Sequence, residues 1–126
     1  MKKSFTLLEM LVVIGIIAIL VSLGFASYST VQKKARDAKR QGDFKAAQQI
    51  MEQCYSVNSF QYPTISGTGT ITATCPAPNN SITFSITDPI NSGTYVYAIT
   101  SSSSSDYTLT AYLETSAVNF IVSNQQ

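Results

Sequence analysis

The sequence predicts an α+β fold: one long N-terminal helix, apolar in its first half and amphipathic in its second, packed on a small antiparallel β-sheet of three to four strands. Three observations carry that expectation. From Phe5 onward the chain is an apolar run in which Met10–Ala26 holds no charge. Small and apolar residues then recur at spacings of three and four as far as Val57, the period of a helix face. From Ile82 the period changes to two, the alternation of strands with one covered face.

The first half of the helix comes close to the ~20 residues needed to cross a bilayer. Its one carboxylate is Glu9, near the start of the run. A carboxylate in hydrocarbon is costly, less so near a helix end, and a charged partner would relieve the cost. Negative charge in the first turn also suits the helix dipole. Gly15, Gly24 and Gly42 each lower helix propensity by about 1 kcal/mol relative to Ala and permit close approach of another helix.

In the second half, Tyr28, Val31, Ala35, Ala38, Gly42, Ala46, Ile50, Cys54 and Val57 are expected to form the buried face. Lys33, Lys34, Arg36, Asp37, Lys39, Arg40, Asp43 and Lys45 fall between them and read as a mixed-charge, solvated face with a basic excess. One helix from Phe5 to about Val57 would be roughly 80 Å long. A small domain cannot cover that length, so the first half must meet lipid or sister helices and the second half must pack locally.

Asn58–Asn80 is rich in Pro, Gly, Thr and Ser and reads as a loop, with a short strand at Thr70–Thr74. The alternating stretches Ile82–Ile86, Tyr95–Ile99 and Tyr107–Leu113, with Val118–Val122 as a fourth candidate, predict an antiparallel meander. Ser101–Asp106 is the expected hairpin tip. Cys54 and Cys75 read as one disulfide tying the loop to the end of the helix, the alternative being two reduced, buried thiols.

Composition excludes much. With 126 residues, and the first quarter committed to membrane or helix packing, one domain of about 70 to 100 residues remains. There is no His, so His-based catalytic triads and zinc sites are out, and no thiol has a base to activate it. An enzyme is not expected, nor is a cofactor. Net charge is +1, which does not mark a nucleic-acid binder, and no specific nucleic acid is expected. Asp88 and Asp106, with Asn91 and Ser92 nearby, offer oxygens but no recognisable calcium loop, and Asp88 before Pro89 reads as a turn residue. No metal site is assigned.

Lys2 and Lys3, then the small residue Ser4, then Phe5, with Glu9 as the fifth residue from Phe5 and an unbroken apolar segment beyond, resembles the type IV pilin and pseudopilin family. The family usually has Gly where this chain has Ser4. The resemblance implies that residues 1–4 are a leader cut by prepilin peptidase between Ser4 and Phe5, and that Phe5 becomes the N-methylated first residue. Residues 5–26 would then be the transmembrane and filament-core half of the helix, 27–57 its amphipathic half, and 58–126 the loop and sheet of the globular domain. It implies further that Glu9 is an assembly residue, pairing with the N-terminal amine of a neighbouring subunit. The expected product is a structural subunit of a type IV pilus or pseudopilus. Its partners would be copies of itself, related pilin subunits and the inner-membrane assembly machinery. The precursor would sit in the inner membrane and the assembled filament would be extracellular or periplasmic, serving adhesion, twitching motility, DNA uptake or secretion.

Two other readings fit parts of the same segment. A cut after Ala26 would make it an ordinary secretory signal, and no cut at all would leave a single-pass anchor. Either would give a non-polymerising, secreted or membrane-anchored binding module.

Overall fold

A computed structural model describes residues 4–126, in two units, one up to Lys33 and one from Lys34 to Gln126. Met1, Lys2 and Lys3, most of the expected leader, lie outside the described residues. Helix α1 is a single element, Leu7–Val57, that contributes to both units.

In the first unit α1 carries Leu, Ile and Val with every described side chain exposed. By length and composition this part of α1 is apolar enough to cross a membrane. Leu7 is 81% and Leu8 72% exposed, values a water-soluble helix would not sustain in a contiguous run.

The second unit packs the rest of α1 on two antiparallel three-stranded sheets. The first is β1 (Ile65–Ser66), β2 (Thr70–Thr74) and β3 (Thr83–Thr87). The second is β4 (Ala98–Ser102), β5 (Tyr107–Tyr112) and β6 (Asn119–Ser123). The α+β class and the antiparallel strands are as the sequence predicts, but the strands divide into two sheets. The segment Asn58–Asn80, expected to be mostly loop, supplies two of the strands. The strand expected at Tyr95–Ile99 lies three residues later, at Ala98–Ser102. Tyr97 forms an isolated bridge to Gly69 instead, with the Gly69 N–H donating to the Tyr97 carbonyl at 2.9 Å. That bridge joins the two sheets. Gly69 has φ of +78°, and a Cβ there would collide with the Asn91 side chain, so the close approach requires glycine.

Phe44, Ala47 and Met51 of α1, Ile65, Ile71 and Phe84 of the first sheet, Tyr97 just before β4, and Tyr107, Leu109 and Val122 of the second sheet form the core. The buried face of α1 is therefore not the expected one. Its inward positions are Asp37, Arg40, Phe44, Ala47, Met51 and Cys54, at alternating spacings of three and four. Ala35, Ala38, Gly42 and Ala46 are exposed, and of the predicted face in this unit only Cys54 is buried, with Ile50 partly so. The physical reason is that Ala and Gly bury little apolar area, whereas Phe44 and Met51 bury much more. Two charged residues complete the winning face because their partners come from distant loops.

The helix ends in a Schellman turn. The Phe60 N–H donates to the Tyr55 carbonyl at 3.1 Å, with Ser59 at φ of 54° and Phe60 at 58°. The Phe60 ring then meets Tyr55 edge-on at 5.7 Å, the apolar contact that accompanies such turns.

Candidate functional site

Glu9 stands at the head of α1. The Glu9 N–H donates to Thr6 Oγ1 at 3.2 Å, and the Thr6 N–H donates back to Glu9 Oε2 at 3.3 Å. This reciprocal pair is a capping box, Thr6 and Glu9 enclosing Leu7 and Leu8, and it satisfies two of the donors left free at a helix start. The first helical bond follows, from Met10 N–H to the Thr6 carbonyl at 3.3 Å. Thr6 was not anticipated from sequence as a site residue, although the Thr-x-x-Glu spacing signals it. The box gives Glu9 a local task besides any intermolecular one, since it fixes the carboxylate over the first turn.

Ser4 and Phe5, the expected cleavage pair, precede the helix and are exposed with no regular structure. An exposed segment without regular structure is open to a peptidase. Gly15 and Gly24 have no side-chain neighbour within 4 Å. At Gly24 the missing Cβ leaves a shallow apolar notch bordered by Val21, Phe25 and Tyr28.

Residues 1–25 match the prokaryotic N-terminal methylation motif. This motif is the type IV pilin and pseudopilin signal. No curated protein and no solved structure compared with the chain matches it. The methylation motif implies processing by prepilin peptidase and contact with pilus assembly machinery in general. With the apolar helix that follows, the pilin signal is consistent with insertion in a membrane as a precursor.

In the second unit, the remaining predicted residues take other places. Cys54 and Cys75 are joined by a disulfide, both buried, so the end of α1 is tied to the residue that follows β2. Asp88 is more than a turn residue. It accepts the N–H groups of Ile90 and Asn91 at 2.8 and 3.3 Å, and it also receives the fork of Arg40, with Nε at 2.7 Å and Nη2 at 3.0 Å. Asp106 accepts the hydroxyls of Ser101 and Ser103 at the β4–β5 turn.

Arg40 is wholly buried, a correction to the solvated face expected for it. Its Nη1 bonds Asp37 at 2.9 Å and Glu114 at 2.8 Å, and Arg36 adds a bidentate pair to Glu114 at 2.7 and 2.6 Å. Asp37 in turn accepts the N–H groups of Glu114 and Thr115, each at 2.8 Å. The Tyr95 ring lies 5.3 Å from the Arg40 guanidinium carbon, a cation–π contact. Hydrogen bonds from Arg36, against the cost of burial, hold the Glu114 carboxyl down at about 2. Burial pushes Asp37 and Asp88 up, but the hydrogen bonds from Thr115, Glu114 and Arg40 to the first, and from Arg40, Ile90 and Asn91 to the second, outweigh it and lower both. Two cations facing three carboxylates in this arrangement are a structural clamp between α1 and the loops after β3 and β5. Nothing in it supplies a nucleophile or a titrating base near neutrality.

Tyr97, Tyr62 and Tyr107 direct their hydroxyls to carboxylates, the first to Asp43 at 2.8 Å and the other two to Glu52 at 2.9 and 3.2 Å. Burial and the neighbouring negative charge push all three phenols up, so they stay protonated donors.

Proposed function

We propose that this chain is a structural subunit of a type IV pilus or pseudopilus. It is made as a membrane precursor, cut between Ser4 and Phe5, methylated on the new amine of Phe5, and polymerised through the apolar half of α1. The observation that carries this reading is the methylation motif over residues 1–25 leading into a helix with its apolar side chains exposed. A plain anchor needs neither the motif nor an acid at the fifth position from the cut. Assembly uses both: Glu9 meets the amine of a neighbouring Phe5, which offsets the cost of each charge and sets the register of adjacent helices. The function is packing, not catalysis, and the second unit forms the outer coat.

The capping box favours one competing account, in which Glu9 is retained only to start the helix. Glu9→Gln separates the two, because Gln also serves as the second member of a capping box but carries no charge. Filament assembly should fail in Glu9→Gln as well as in Glu9→Leu. Normal filaments from Glu9→Gln would leave the cap as the sole role of this residue. Intact mass and N-terminal sequencing of the protein from its own cells test the processing step. An N-methylated Phe5 start supports it; a start at Ser27 or at Met1 would return the chain to a secreted or simply anchored module.

A further inference from the structure

Among the described residues of the second unit, the large apolar side chains left exposed fall into two pairs. Val57 (49% exposed) and Phe60 (72%) stand at the C-terminal end of α1. Val118 (53%) and Ile121 (59%) stand at the β5–β6 turn and on β6. Each pair lies in an uncharged stretch: residues 53–87 and 115–126 hold no Asp, Glu, Lys or Arg. Each is also set by left-handed backbone. Phe60 itself has φ of 58°, and Ala117, just before Val118, has φ of 55°. A bulky residue in that region is strained, and strain of this kind gathers where a chain makes functional contacts.

The two patches occupy opposite ends of the unit. The Glu114 N–H donates to Asp37 at 2.8 Å and the Leu113 N–H to the Val118 carbonyl at 2.9 Å, so the β5–β6 turn lies level with Asp37. Gln48 donates to the Ser123 carbonyl at 2.7 Å, so β6 climbs beside α1 in the direction of Val57. From Asp37 to Val57 the helix rises roughly 30 Å, and along β6 Ile121 lies about 10 Å beyond Val118. The Val118–Ile121 patch is therefore about 20–30 Å behind the Val57–Phe60 patch along α1.

We propose that the Val57–Phe60 patch of one copy packs on the Val118–Ile121 patch of a second copy, which stands beside the first and is displaced by that distance toward the C-terminal end of α1. This contact rests on the filament-subunit reading, and it is the one the globular units would make. The displacement leaves both copies of α1 pointing the same way, as a shared membrane or filament demands. It joins unlike patches, so every copy keeps one of each free, and repetition gives an open chain rather than a closed dimer. Apolar surface meets apolar surface, and no charge is desolvated on either side. A second copy is the occupant that accounts for both patches at once, since each copy brings both halves of the contact. A charged ligand would find no opposite charge on either stretch.

The native cysteines are paired with each other, so introduced cysteines are the free thiols. Filaments of the full-length chain carrying Phe60→Cys/Ile121→Cys should give, on mild oxidation, a ladder of dimers, trimers and higher species on a non-reducing gel. Within one chain the two positions are too far apart to bridge. Phe60→Cys alone and Ile121→Cys alone should stay monomeric, and cells making both single variants together should give dimers and no ladder. Single variants that cross-link as well as the double one would overturn the pairing of unlike patches. A second double variant, Phe60→Cys/Val118→Cys, covers the other residue of the patch. No ladder from either double variant, in filaments whose subunits keep the wild-type urea midpoint, would overturn the contact and leave the filament reading standing. Absence of filaments from the wild-type chain would overturn that reading and the contact with it.

Discussion

Arg40 decides more of the second unit than any other single side chain. Its guanidinium is fully buried and serves Asp37, Asp88 and Glu114 at once, so removing it leaves three carboxylates with much of their compensation gone. Breaking a buried pair from one side costs about 3–5 kcal/mol, and Arg40→Ala should lower unfolding stability by that order, read as the shift in a urea midpoint. Arg40→Lys should recover only part of it, because an ammonium cannot reproduce the two-toothed fork on Asp88. The same carboxylates set the response to acid. Glu114 is held at about 2, and Asp37 and Asp88 are lowered, so as pH falls the unfolded chain takes up protons before the folded one does. Their contribution is therefore whole above the ordinary carboxylate range and is lost progressively as pH drops from about 5 toward 2. The urea midpoint should fall through that window, less steeply in Glu114→Gln; a midpoint flat between pH 6 and pH 2.5 would contradict the assignment. None of this was legible from the sequence around Arg40, where a run of Lys, Arg and Asp looks like a wet face. The Asp37-x-x-Arg40 spacing was visible, but the burial depends on Asp88 and Glu114, 48 and 74 residues away from Arg40. Glu9 is the opposite case: both its place in the methylation motif and its capping partner Thr6 can be read within the first ten residues.

At the scale of elements, local chemistry was readable where it is local and not where tertiary contacts choose. Thr70–Thr74 was legible as a strand because its alternation is short and clean, and β5 and β6 lie within a residue or two of their predicted positions. The Tyr95–Ile99 alternation misled because Tyr97 is drawn to Asp43 and Gly69, which delays regular pairing until Ala98. The face of α1 misled because helical periodicity in Ala and Gly is weak information beside the volume of Phe44 and Met51. The end of α1 offers a direct test. Ser59 occupies the left-handed position of the Schellman turn, at φ of 54°, where a side chain costs about 1 kcal/mol and glycine costs less. Ser59→Gly should therefore raise stability by roughly 0.5–1 kcal/mol, reduced somewhat by the greater freedom of glycine in the unfolded chain. Phe60→Gly, despite a similar φ, should not stabilise, since it removes the ring packed on Tyr55. Equal gains at both positions would show that backbone strain alone, and not the apolar contact, governs the turn.

For the whole molecule, the distribution of buried residues separates stability from assembly. Every residue of the hydrophobic core lies between Phe44 and Val122, and the charged clamp between Arg36 and Glu114, while the methylation motif ends at residue 25. Among the described residues, the Glu9 carboxylate makes its hydrogen bonds to Thr6. Folding of the second unit and function of the first should then respond to different substitutions. In detergent, Glu9→Leu should leave the urea midpoint of tyrosine fluorescence unchanged, because the core tyrosines and the clamp charges belong to the second unit. In cells it should abolish filaments while the precursor still reaches the membrane. Arg40→Ala should do the reverse in the first assay, lowering the midpoint by the several kcal/mol argued above, and should reduce filaments only through loss of folded subunit. The discriminating measurement is the pair of assays on the double variant. Independent sites have additive effects on stability, so the double variant should unfold like Arg40→Ala alone. A midpoint shifted by Glu9→Leu, or a double variant departing from Arg40→Ala by more than about 0.5 kcal/mol, would mean that the head of α1 contributes to the stability of the second unit. Assembly would then be controlled through folding as well as through helix packing.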